Sequence, residues 1–125
     1  MFRVIVIGLA LIASLPAMAD TDYTGNEMLQ PCATFDEART HNVPKPPAGD
    51  AFLVGTCMGM VSGIRFLVGA ATYSNQYAVC VPPGVNNGQS VSVVVRYMRN
   101  HPELLHKPFK HIVLAAFFEA WPCKR

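Results

Sequence analysis

The sequence predicts a small helical bundle braced by disulfide bonds. Two observations carry that prediction. Three segments place apolar residues at the three- and four-residue spacing of helices, and four cysteines, an even number, all lie beyond an N-terminal export signal. The remainder of about one hundred residues is enough for one domain with one modest core.

The opening MFRVIVIGLALIASLPAMA has the three parts of a secretory signal peptide: Arg3, an apolar run, and the small-residue site Ala17-Met18-Ala19. Its apolar stretch from Val4 to Leu15 is short of the roughly 20 residues that a membrane-spanning helix needs. No cysteine stands at the processing site to mark a lipoprotein. Residues 1–19 are therefore expected to be removed, leaving 20–125 as a single helical domain with no membrane attachment. Nine Lys and Arg then face eight Asp and Glu, so the domain offers no electrostatic preference for nucleic acid or anionic lipid. Cys32, Cys57, Cys80 and Cys123 in an oxidising compartment predict two disulfides. Their gaps of 25, 23 and 43 positions do not form a compact zinc knuckle. Spacing alone leaves three pairings open.

The first helix is expected over about Glu27 to Arg39, where Met28, Cys32, Phe35 and Ala38 share one rhythm. Asn26 or Thr24 is its expected cap, and Pro31 is acceptable only in its first turn. The proline-rich HNVPKPPAGD that follows is a connection. A second helix is expected from Ala51 to about Thr72, capped by Asp50 and apolar almost all round, which predicts a central buried helix. Within it Gly55, Gly59 and Gly63 make a stripe without side chains, expected to let a neighbouring helix pack unusually close. The same stripe in a membrane would suggest helix dimerisation, but Arg65 argues against a span.

Pro82, Pro83, Gly84, Asn86, Asn87 and Gly88 make a turn-rich connection with no lysine and hydroxyl pair of the kind a phosphate loop needs. The segment QSVSVVVRYMRN is undecided by its residues. Its valines favour a strand, while its spacing suits a helix burying Val91, Val94, Val95 and Met98. A last helix is expected from about Lys107, with Pro108 at its first position and a core face of Phe109, Ile112, Val113, Ala116, Phe117 and Ala120, Trp121 beside it.

Material for catalysis is scarce. His101, His106 and His111 do not share one helical face, the zinc hydrolase pattern H-E-x-x-H is absent, and the thiols have a better use in disulfides. No enzyme activity, metal or cofactor is expected. What remains is surface. Tyr73, Asn75, Gln76 and Tyr77 form a polar aromatic patch suited to protein contact, and Arg96, Arg99 and Lys110 are candidates for a weakly basic face.

Taken together, Cys57 with Gly59 and Gly63, CVPPGV from Cys80, Gln89, VVVRYMRNHPELLH from Val93 to His106, and the terminal AWPC resemble the Rap/Tai group of type VI secretion immunity proteins. The resemblance covers about Cys57 to Cys123, and Cys32 fits it as well. It implies an all-α, disulfide-braced bundle of four to five helices in the periplasm, with residues 89–100 helical. It also implies a protein that binds and neutralises a peptidoglycan-cleaving amidase toxin, and it makes a homodimer an expectation. The alternative is an exported structural or general interaction module with the same fold and no toxin partner. In a bundle whose helices alternate in direction, Cys32 lies beside the second helix, and Cys80 and Cys123 come to one end. The preferred pairs are thus Cys32 with Cys57 and Cys80 with Cys123, ahead of Cys57 with Cys80 and Cys32 with Cys123.

Overall fold

The computed structural model describes residues 22–41, 48–72 and 79–124. They form four α-helices: α1 (Gly25–His41), α2 (Ala48–Thr72), α3 (Asn87–Asn100) and α4 (Phe109–Ala120), with one 3-10 turn at Pro102–Leu104. The expected signal segment lies outside the described residues.

A reciprocal cap starts α1. The Thr24 amide and hydroxyl both donate to the Glu27 carboxylate at 2.7 and 2.8 Å, and the Glu27 amide reaches back to the Thr24 hydroxyl at 3.4 Å. Gly25 follows because nothing larger fits: a Cβ there would stand 2.5 Å from Ile112 Cδ1 and 3.0 Å from the Leu105 backbone. The Gly25 and Asn26 amides donate to the Lys107 and Leu105 carbonyls, so the loop before α4 lies directly on the start of α1. Pro31 falls mid-helix rather than in the first turn, and removes the amide that would bond the Glu27 carbonyl. The adjacent Cys32 is tied covalently to α2, and that anchor holds the helix through the missing rung.

The valines of α3 obey packing over propensity. Asn86 caps the helix through a 2.8 Å bond from the Gln89 amide, and Val91, Val94, Val95 and Met98 are all buried. The face expected of α4 is present too, with Phe109, Ile112, Val113, Ala116 and Phe117 buried and Ala120 half-exposed. Gly84, at φ 87°, makes the turn between Cys80 and α3 possible, a conformation that side chains resist.

The long α2 departs from expectation. It starts at Ala48, so Asp50 lies in its first turn and does not cap it. Among its described side chains only Cys57, Val61 and Val68 are buried, while Phe52, Met58, Phe66 and Leu67 are exposed. The expectation of a central buried helix is therefore incorrect. A helix wrapped on all sides needs neighbours all round, and among the described residues α2 packs against α1, α3 and α4, which leave its Phe52, Phe66 and Leu67 exposed.

Both disulfides close as preferred, Cys32 with Cys57 and Cys80 with Cys123. The first joins α1 to α2 inside the core, both cysteines having no exposed surface. The second laces the chain end to the segment before α3. There the Cys80 amide donates to the Trp121 carbonyl at 2.8 Å, and Val79 bridges antiparallel to Pro122. Trp121 packs its ring 5.3 Å from that of Phe117. Cys123 thus stands at the end of the chain because it holds that end against the body of the bundle.

Candidate functional site

The described surface carries a groove of about 360 Å³ along the seam of α3 and α4, lined by Gln89, Ser92, Val93, Arg96, Ala120 and Trp121. It exists because Ala116 and Ala120 lie one turn apart on α4 and are too short to fill the space opposite Val93 and Arg96. A second hollow of about 240 Å³ shares Val93, Arg96 and Ala120 and extends the depression to Tyr97 and Glu119.

Arg96 is the electrostatic centre of this groove. The other charges expected to share its face have partners elsewhere. Arg99 pairs with Glu37 at 3.3 Å, and Lys110 with Asp22 at 2.8 Å, so the three cations do not form one basic face. Arg39 donates to Asp36 and Ser92, and Ser92 also bonds Asp36. Arg65 ties α2 to the start of α3 through the Asn87 side chain and the Val85 carbonyl. Among the described residues Arg96 has no hydrogen-bond or ion-pair partner, and it is exposed. Trp121, Tyr97 and arginine are the side-chain types that carry most energy at protein interfaces, since they offer large area, few lost rotamers and directed hydrogen bonds.

Beyond Tyr97 the groove meets a small polar cluster. The His101 ring lies 3.3 Å from each of the Glu103 and Glu119 carboxylates, and 4.3 Å from the Tyr97 ring. A neutral imidazole has one N–H, so it donates to one carboxylate only, and the imidazolium donates to both. Burial pushes the Tyr97 hydroxyl above its usual range, and the negative charges of Glu119 and Glu103 add to that. The Glu103 carboxyl is held below its usual range, chiefly by its own backbone N–H and further by His101.

The other exposed feature is the outward face of α2. A Cβ placed on Gly55, Gly59 or Gly63 meets no atom within 4 Å, so the expected close packing of a neighbouring helix does not occur among the described residues. The stripe faces outward because Cys57, bonded to Cys32, turns the opposite side of α2 to the core. The polar aromatic patch expected at Tyr73, Asn75, Gln76 and Tyr77 lies outside the described residues. Sequence reasoning did not single out the α3–α4 groove. Its signal was the pair of alanines facing an arginine, which becomes legible only when the two helices are known to be neighbours.

Among the described residues no group of three or more His, Cys, Asp and Glu is placed to hold a metal ion. Comparison with curated proteins and with solved structures gives no significant match. Comparison with family models does: the model described as Rap1a immunity proteins matches residues 24–123. The chain belongs to this family. The match begins at the Thr24 cap of α1 and ends at Cys123, so it takes in all four helices and both disulfides. A Rap1a protein is an immunity-type protein that acts by binding and is not an enzyme.

Proposed function

We propose that this Rap1a protein acts in the periplasm, after removal of residues 1–19, as a homodimer that binds and neutralises a peptidoglycan-cleaving amidase delivered by type VI secretion. The observation that carries this reading is the family match across 24–123. The α3–α4 groove is the proposed contact, with Arg96 and Trp121 its anchors. Arg96 is an exposed cation with no partner among the described residues, it lines the groove together with Trp121, and an acidic or carbonyl-rich loop of a toxin would complete it. The segment Tyr73 to Tyr77 is a second candidate edge.

Co-expression supplies the test. An amidase encoded beside this gene, directed to the periplasm, is expected to lyse cells without the protein and to spare them with it. Arg96→Ala together with Trp121→Ala is expected to weaken binding at least 100-fold by calorimetry, as loss of two hot-spot anchors does. Lysis unchanged by the wild-type protein counts against toxin neutralisation. Protection and affinity unchanged by the double variant count against the groove.

A further inference from the structure

Glu119 lines the same hollow as Arg96, yet its carboxylate is turned to His101. The other walls of that hollow are Val93, Tyr97, Ala116 and Ala120, none of which carries a charge. Glu119 stands in the last turn of α4, where the helix dipole opposes a negative charge, so its carboxylate gains from any cation beside it. His101 is that cation only while it is protonated. Its ring is 3.3 Å from Glu103 through Nδ1 and 3.3 Å from Glu119 through Nε2, and both contacts are hydrogen bonds only for the imidazolium.

When the imidazolium gives up a proton one contact has to go, and the surroundings decide which. Glu103 lies two residues away in the chain and is also held by its own backbone N–H. Glu119 is reached across from another helix, its side chain is 61% exposed, and among the described residues its hydrogen bond is to His101 alone. The remaining proton therefore stays on Nδ1, and Nε2 turns a lone pair on the Glu119 carboxylate.

We infer that His101 sets whether the α3–α4 groove is open to an anion: as imidazolium it holds Glu119 back and leaves Arg96 bare, and as imidazole it releases Glu119 to pair with Arg96 and occupy the groove from within. A guanidinium takes a carboxylate through two parallel N–H donors, which makes Arg96 the stronger neighbour once the imidazole is neutral. The other groups around His101 do not take this part. Tyr97 stays uncharged, since burial and the two glutamates hold its hydroxyl above the ordinary range, and Arg99 is paired with Glu37 of α1. An exposed ion pair is worth a few-fold, so the affinity of the groove for an acidic partner is expected to fall roughly two- to fivefold from about pH 5 to about pH 8.

This inference rests on the groove contact proposed above and adds its regulation; its test needs no toxin. Trp121 is the single tryptophan of the chain and lines the groove with Arg96. Quenching of its fluorescence by iodide, divided by quenching by neutral acrylamide, reports the charge that an anion meets there. In the mature protein this ratio is expected to fall roughly twofold between about pH 5 and about pH 8. His101→Gln is expected to make the ratio independent of pH, although His41, His106 and His111 remain. Glu119→Gln is expected to hold it at the high, acidic value throughout. Helical circular dichroism is expected to be unchanged in both variants, because neither side chain belongs to the core. A wild-type ratio that does not change with pH overturns the gate and leaves the groove contact to the calorimetric test above. A response that survives His101→Gln belongs to another group and overturns it as well. A response that survives Glu119→Gln overturns it too, because the imidazolium charge then acts on iodide without any released carboxylate.

Discussion

Replacing both Cys80 and Cys123 by alanine isolates the second disulfide. The two are not fully buried, so their removal opens no sealed cavity, and the loss is mainly the freedom returned to the unfolded chain. They are 43 positions apart, which in the chain-entropy estimate is worth about 4 kcal/mol at 25 °C. A domain of about one hundred residues unfolds with roughly 0.2 kcal/mol per kelvin of entropy, so the melting temperature of the mature protein should fall by about 20 °C. The assay is thermal unfolding followed by circular dichroism at 222 nm, with urea titration to confirm that stability and not cooperativity has changed. The Val79–Pro122 bridge and the Cys80 amide bond remain in the variant, but they fray once nothing covalent holds the end. A fall of less than about 5 °C would refute the reasoning, because the bond would then constrain an unfolded chain that is already compact.

The two disulfides should differ in chemical access. Brief treatment of the folded protein with dithiothreitol and iodoacetamide is expected to label Cys80 and Cys123 alone by peptide mass spectrometry, since Cys32 and Cys57 have no exposed surface. The Thr24 amide, followed by its hydroxyl, holds the Glu27 carboxyl below its usual range. A depressed carboxylate stabilises the fold fully above its unfolded pKa of about 4.3, and that contribution is lost as pH falls through the lower folded value. The stability gap between wild type and Glu27→Ala in urea titrations should therefore narrow below about pH 4. Two glycines should respond oppositely to alanine. Gly25→Ala forces Ile112 and the Leu105 backbone aside and should cost about 1–3 kcal/mol. Gly69→Ala adds a methyl in open space and should raise stability by up to about 1 kcal/mol through helix propensity. Alkaline titration followed at 295 nm should find Tyr97 ionising above the ordinary range, because burial and then two glutamates oppose its anion, and Tyr97→Phe should remove that step.

Most of the framework was legible in the chain. Local periodicity marks α1 and the core face of α4, and the buried set Val91, Val94, Val95 and Met98 follows from spacing once α3 is taken as a helix. That choice was not available from the valines themselves, whose propensity points to a strand. It depended on resemblance to a known family, and in the structure it depends on the three helices that bury this face. The α3–α4 groove was not legible, because it arises from short side chains on two helices that only folding makes neighbours.

By itself the sequence determined the class of the domain, the number of covalent braces and the faces whose apolar residues had to leave water, since these follow from short-range spacing and composition. Tertiary structure decided which way α2 turns. An almost wholly apolar helix has no preferred side of its own, and its orientation comes from the Cys32–Cys57 bond and from the limited number of helices available to cover it. Those two constraints leave the glycine stripe outside, and a pattern that suggested an inner packing seam is instead an outward surface.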